Sequence, residues 1–339
     1  MCPYRIAVIE GDGIGPEVTS ATLLVLERAI DRYGLEIEIT KVEAGDRALA
    51  RYGSPIPEDS WRVIVNSDAI LKGPVGESAG DVVVKIRRGL DLYANIRPAK
   101  VYPGVRALRN NVDLVIVREN TEDVYVRAES MIYEGVAVAL RVISRYASER
   151  IARVAFDLAL KRRKHVTIVH KANVLTLTDG LFKNTVYSIA KSYPDVSIDE
   201  MYIDAAVMDL VRRPERFDVI VTTNLYGDIL SDLAAYVTGS IGLAPSANIG
   251  DRKALFEPIH GAAFDIAGKG IANPTAMIFS MAWMLKYLGE KNSDENMVRA
   301  GKAIEEATIY TLSEGKILTP DLGGNAKTEE FAKAICDRL

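Results

Sequence analysis

Short β-branched runs alternate along this chain with longer stretches in which apolar residues recur every third or fourth position. The runs are IAVI at 6–9, IEIT at 37–40, AILK at 69–72, VDLVIV at 112–117, VTIVH at 166–170 and DVIVT at 218–222. Helical spacing marks Val18 to Tyr33 and Glu149 to Lys164, among others. This alternation predicts an α/β architecture with much parallel sheet. The rhythm breaks once, between 119 and 145, where Val, Tyr and polar residues alternate. That stretch predicts a pair of antiparallel strands projecting from the body, an arm whose exposed edge suits pairing with a second subunit.

The first run leads into GDGIGP at 11–16. Its glycines fall at every second position, so the G-x-G-x-x-G spacing of a Rossmann loop is not met. Pro16 fits the first turn of a helix, where its missing N–H costs nothing. On its residues alone the loop is either a ligand-binding turn or a plain strand-to-helix connection.

Bulk properties narrow the class. A chain of 339 residues is long enough for two domains, and 48% hydrophobic with 26% charged residues is ordinary for a globular protein. A net charge of −4 argues against a nucleic-acid surface. The apolar runs are too short to span a bilayer, and no secretory-type leader precedes the first run, so a cytoplasmic protein is expected. Cys2 and Cys336 form no metal or redox cluster and read as ordinary thiols, with a bridge between the termini left open.

Three groups of residues carry chemistry. Arg87, Arg97 and Arg118 lie in IRRGLDLYANIRP and VIVREN, and the planar guanidinium fork suits a di- or tricarboxylate. Asp228 and Asp232 in NLYGDILSD are four apart, on one face of any helix starting there. A divalent cation would relieve their repulsion, and oxygen-only donors favour Mg²⁺ or Mn²⁺; Asp204 could add a third carboxylate. Helix capping by Asp228 is the plainer alternative. Tyr125 and Lys171 are the third group, with Lys171 placed directly after an apolar run, where nearby cations could make it a base. His165 and His170 read as structural. Finally, FEPIHGAAFDIAGKGIANP at 256–274 is rich in small residues, as in a loop that lets a ligand approach the backbone. Asp265 there would suit the ribose hydroxyls of NAD and repel the extra phosphate of NADP.

Taken together these stretches resemble the β-decarboxylating dehydrogenases that act on 3-isopropylmalate, isocitrate and homoisocitrate. The likeness runs from EGDGIGPE through LDLYANIRPAK, VIVRENTEDVY, HKANV, YIDAAVM, NLYGDILSDLA and FEPIHGAAFDIAGKGIANPTA to TPDLGGNA. The resemblance implies a two-domain α/β fold with a central mixed sheet flanked by helices and a projecting β-arm. The larger, cofactor-binding domain would take 1–92 plus 239–339, and the smaller, 93–238, would carry the arm and dimer interface. It implies that Arg87, Arg97 and Arg118 clamp the substrate's carboxylates, with Tyr125 as acid and Lys171 as base. Asp228 and Asp232, with Asp204 from a partner subunit, would hold Mg²⁺ or Mn²⁺. Lys171 would also serve the partner's site, making a homodimer the minimal active unit. Ile14, Asn173, Glu257, His260, Gly261, Asp265 and Asn273 match cofactor contacts, and Asp265-Ile266, where NADP-using relatives carry Lys-Tyr, implies NAD.

Substrate choice turns on residues 80–86, just before Arg87. Val83 and Val84 stand where isopropylmalate enzymes place leucines. An apolar pair favours an isopropyl group, because an unpaired carboxylate against it is costly. The expected reaction is therefore the leucine-pathway oxidative decarboxylation of 3-isopropylmalate, a 2-hydroxy dicarboxylate. Lys72, which could offer a cation to a third carboxylate, and RENTEDVY keep homoisocitrate, isocitrate or dual specificity as alternatives. The presence of every clamp, base and metal residue argues against an inactive regulatory subunit.

Overall fold

Runs of Val and Ile extend the chain because branched side chains pack well on a pleated surface, and apolar residues at helical spacing coil it. The computed structural model describes residues 3–339. Its strands, in chain order, are β1 (Tyr4–Ile9), β2 (Ile37–Val42), β3 (Ala69–Lys72), β4 (Ala94–Lys100), β5 (Asp113–Glu119), β6 (Glu129–Tyr133), β7 (Val136–Ala139), β8 (His165–His170), β9 (Ser197–Tyr202), β10 (Val219–Thr222), β11 (Pro245–Ile249) and β12 (Ala254–Pro258). The helices are α1 (Gly15–Tyr33), α2 (Asp46–Tyr52), α3 (Glu58–Asn66), α4 (Ala79–Gly89), α5 (Arg145–Leu160), α6 (Thr178–Ala190), α7 (Ile203–Arg212), α8 (Asn224–Val237), α9 (Thr275–Asn292), α10 (Glu295–Glu314) and α11 (Thr328–Cys336).

Ten strands form one sheet, ordered β2-β1-β3-β12-β11-β4-β5-β10-β8-β9. Pairing is parallel except where β12–β11, β11–β4 and β4–β5 run antiparallel. The result is a central mixed sheet flanked by helices, as expected, and its order is not that of a Rossmann sheet. β2, β1, β3, β12 and β11 come from residues before 93 or after 238, and the other five strands from between. The apolar core divides at the same line. Leu71, Phe256, Met281 and Leu285 belong to the cluster that packs β1, β3, β11 and β12 with α1, α9 and α10, and Ile9, Ile70 and Ile86 belong to a second one on β1, β2, β3 and β12 with α4. Val117, Phe156, Ile168 and Val221 fill one side of the other half, and Ile116, Leu210, Phe217 and Leu230 fill its reverse.

Two features depart from the simple pattern. β4, β11 and β12 lie at the centre of the sheet although they are poor in aliphatic runs: Asn95, Arg97, Ser246 and Asn248 are all buried there. The strands are joined through these side chains, since Asn95 Nδ2 donates to Ser246 Oγ at 2.8 Å and to Asn248 Oδ1 at 2.9 Å. The arm is narrower than 119–145. Its strands are β6 and β7 alone, an antiparallel pair outside the main sheet. Met131, Ile132 and Tyr133 on it are exposed. Cys336 is a free thiol, and Cys2 lies outside the described residues.

Candidate active site

The site forms where the C-terminal ends of the central strands meet α4 and α8. Arg97 on β4 and Arg118 on β5 are diagonal neighbours, Asn95 being opposite Arg118 and Arg97 opposite Ile116, so both side chains leave one face of the sheet. Arg87, in the last turn of α4, joins them; all three are buried. Asp228, one turn into α8, collects the charges. It accepts from Arg97 Nη1 at 3.1 Å, from Arg118 Nη1, and from the Tyr125 hydroxyl at 2.5 Å. Arg118 Nε also donates to Asn224 Oδ1 at 2.9 Å, and Arg97 Nη1 to Ser231 Oγ at 2.7 Å.

Electrostatics follow from this crowding. Burial would raise the Asp228 carboxyl, but Arg118, Arg97 and the Tyr125 hydrogen bond outweigh it and hold it below the usual range. Asp232, four residues on, moves the other way: burial lifts it, against Arg97, and the Asp228 charge adds to the lift. Burial also raises Tyr125, so at neutral pH it keeps its proton and can donate it. Arg87 Nη2 turns to Glu257 Oε1 at 3.0 Å, which Asn248 Nδ2 also reaches at 2.8 Å. Lys72 Nζ lies 2.8 Å from Glu257 Oε2. Burial alone would lift the Glu257 carboxyl, yet Lys72 and Arg87 hold it well below the usual range.

Lys171 and Asp204 do not join this group. The Lys171 ammonium is ion-paired with Asp204, at the first turn of α7, and that bond lowers the Asp204 carboxyl. Asn173, two residues beyond Lys171, is exposed. The expected metal carboxylates are therefore split, Asp228 and Asp232 in one place and Asp204 in another.

A cleft of about 620 Å³ opens beside the first glycine loop, lined by Ile14, Ile241, His260, Gly261 and Asn273 among others. GDGIGP is stitched in place. Ile14 N–H donates to Ala262 O, and Asp12 accepts from the N–H groups of Asp46, Arg47 and Gly76. Gly13 has φ +57°, and a Cβ there would sit 1.9 Å from Ala262 O, so the loop needs glycine where the two backbones touch. The His260 ring is buried with Nε2 unpartnered, and burial holds its pKa down. Asp265 is exposed, next to Ile266 on the cleft wall, whereas Glu257 lies deeper, in the ion pair beneath Arg87.

A family model described as isocitrate/isopropylmalate dehydrogenase matches residues 5–335. The chain belongs to this family. It is 55% identical over 336 residues to a protein of Sulfurisphaera tokodaii named 3-isopropylmalate dehydrogenase, covering 99% of each chain. It is 52% identical over 343 residues to one of Thermus thermophilus named isocitrate/homoisocitrate dehydrogenase, covering 99% of this chain and 98% of that one. Among solved structures, an isocitrate dehydrogenase of Methylococcus capsulatus superposes with a TM-score of 0.92 at 43% identity, over 99% of each chain.

Residues 80–86, on which substrate choice is expected to turn, lie on α4 just before Arg87. Here Val83 shares a helix face with Arg87, four residues on. Val84 lines a neighbouring groove with Asp81, Arg88 and Arg127, where Asp81 and Arg127 form an ion pair. Reading the sequence missed one buried charge cluster, that of Arg141 with Asp123 and Asp179. Nothing local marks it, because its three members are brought together only by the fold.

Proposed function

We propose that the protein catalyses NAD-dependent oxidative decarboxylation of 3-isopropylmalate to 2-oxo-4-methylpentanoate, in the cytoplasm, as a homodimer with shared active sites. Full-length relatives named for this substrate support the activity. The observation that carries the substrate is the buried Lys72–Glu257 pair. Lys72, the cation that would have met a third carboxylate, is already neutralised, and Val83 beside Arg87 leaves an apolar wall for an isopropyl group.

The residues present fit the expected ligands. Arg87 Nε and Arg97 Nε are buried without a partner, so the clamp retains donors for a dicarboxylate. Asp228 and Asp232 form an oxygen pair with mutual repulsion, suited to Mg²⁺ or Mn²⁺. His260, whose buried Nε2 has no partner, lines the proposed nicotinamide-dinucleotide cleft with Ile14, Gly261 and Asn273, and Asp265 at its rim favours NAD over NADP. When bound, NAD accepts the hydride, and the cation polarises the 2-hydroxyl and adjacent carboxylate.

The protein's own groups do the rest. The three arginines orient the substrate. The Lys171 amine takes the hydroxyl proton as hydride departs, and the Tyr125 hydroxyl delivers a proton to the carbon that loses carbon dioxide. Because Lys171 and Asp204 lie together, away from Asp228, we assign them to the partner subunit's active centre, with the exposed arm and Met208, Ile229 and Tyr236 on α7 and α8 as the dimer face. We take residues 1–92 plus 239–339 as a cofactor domain and 93–238 as a dimer domain, a reading supported by the division of sheet and core. The Thermus relative's name keeps one second reading, a homoisocitrate or isocitrate enzyme. Steady-state kinetics with NAD, Mg²⁺ and each of the three acids decides. The highest kcat/KM is expected with 3-isopropylmalate, and a higher value for either tricarboxylate would reject the role given to the valines.

A further inference from the structure

Arg141 leaves the main chain just after the arm, and its guanidinium is enclosed by groups from three elements. Nε donates to Asp123 Oδ1 at 2.7 Å, Nη1 donates to Asp179 Oδ1, and Nη2 donates to Thr223 Oγ1 at 2.9 Å. The Tyr226 ring lies 4.7 Å from the guanidinium carbon. Both aspartates are fully buried. Neither is a mere counter-ion, because each spends its other lone pairs on backbone N–H groups.

Those N–H groups belong to the catalytic segments. Asp123 accepts from Val124 N–H at 2.9 Å and Leu225 N–H at 3.0 Å, so it fixes the 3-10 turn Val124–Val126 that carries Tyr125, and the start of α8. The backbone there is held in a costly shape: Asp123 has φ +67° and Arg127 φ +56°. Asp179 accepts the Lys171 N–H at 2.5 Å and fixes the end of β8 from which that side chain departs. One guanidinium therefore orders the segments of both the acid and the base.

We propose that Arg141 is a positioning residue for the reaction: it sets the backbone under Tyr125 and under Lys171 at once. Resting on the shared-site reading above, the two groups it sets serve different active centres, Tyr125 its own and Lys171 the partner subunit's. Arg141 is then the physical link between the two centres of a dimer.

The test uses Arg141→Lys, which keeps the charge but lacks the fork needed to hold two carboxylates and a hydroxyl together. The expected result is a fall in kcat of about a hundredfold, the scale of a small misplacement of reacting groups, with KM for 3-isopropylmalate within about threefold. Deuterium exchange beside the keto group of the product, which needs Tyr125 and no hydride transfer, falls in parallel. Arg162→Lys is the comparison, since Arg162 likewise bridges two aspartates, Asp113 and Asp218, but at the opposite end of β5 and β10. It is expected to keep kcat. Unchanged kcat and exchange in the folded Arg141→Lys dimer, or an equal kcat loss in Arg162→Lys, would overturn the assignment.

Mixed dimers separate this inference from the shared-site reading. A Lys171→Ala subunit paired with a Tyr125→Phe subunit regains one intact centre only if sites are shared. Absence of recovery refutes the sharing and the link between centres, while the single-variant kinetics still judge Arg141 as a positioning residue. Where recovery occurs, adding Arg141→Lys to either subunit should lower it. Recovery insensitive to Arg141→Lys in one of the two subunits refutes the link.

Discussion

Glu257→Gln isolates the energetics of the buried charges beneath the clamp. The Lys72 and Arg87 side chains are 4% and 7% exposed, and both rely on Glu257, itself 6% exposed, for neutralisation. Removing one partner from such a cluster costs about 3–5 kcal/mol, because the remaining charges stay buried and uncompensated. With an unfolding entropy of about 2.1 cal/mol/K per residue, 339 residues give roughly 0.7 kcal/mol/K. The apo variant should then melt about 4–7 °C below the unaltered protein at neutral pH. Lys72→Met should cost less, since Arg87 still neutralises Glu257. The pH dependence has a definite sign. Glu257 is depressed in the folded state, so its contribution is complete above the unfolded value of about 4.3 and is lost as pH falls through that value towards the folded one. The gap between the two proteins should stay constant from about pH 8 to 5 and close below that. Scanning calorimetry at pH 7.5, 5.5 and 3.5 measures it. A gap under about 1 kcal/mol at pH 7.5, or one that widens on acidification, would refute the reasoning.

Asp228→Asn should lower turnover about a thousandfold, the several kcal/mol a bound cation contributes, while the circular dichroism spectrum is kept; full activity of the variant in chelator would overturn the metal assignment. Val84→Arg should shift kcat/KM towards homoisocitrate or isocitrate by about tenfold or more, and an unmoved ratio would show that the groove at Val84 does not face the substrate. Asp265→Lys with Ile266→Tyr should raise the kcat/KM ratio of NADP to NAD by about a hundredfold through removed repulsion of the ribose phosphate; an unchanged ratio would clear the rim acid of that role.

What could be read from the sequence divides along chemical lines. β1, β3, β5, β8 and β10 announce themselves as aliphatic runs because both faces of each are buried. β4, β11 and β12 do not, because Asn95, Arg97 and Pro98 on the first, Ser246 and Asn248 on the second, and Glu257 and Pro258 on the third mix polar groups and prolines into the middle of the sheet. Their burial is tolerable only once the strands are side by side, which no local pattern encodes. For the same reason the small-residue loop after 256 begins later than its composition suggests, its first residues Phe256 to Pro258 being the end of β12. Arg97, Arg118, Asp228 and Tyr125 were legible as chemistry, and the fold brings these four together. That Lys171 pairs with Asp204 instead, and that Lys72 is spent on Glu257, are facts of long-range placement.

One feature of the sheet bears on how the molecule can move. β11 and β4 meet through only three residue pairs, Ala247–Ile96, Asn248–Asn95 and Ile249–Ala94, whereas β4 and β5 share seven. Asparagine side chains rivet that narrow join. The two halves are thus plates on a leaf spring, not beads on a string. Any opening or closing must twist a continuous sheet at this narrow join, so displacement stores elastic energy in the strands that is returned when the load is released. Stiffness at three residue pairs, next to Arg97 and Arg118 in the sheet, would then set how fast the cleft cycles.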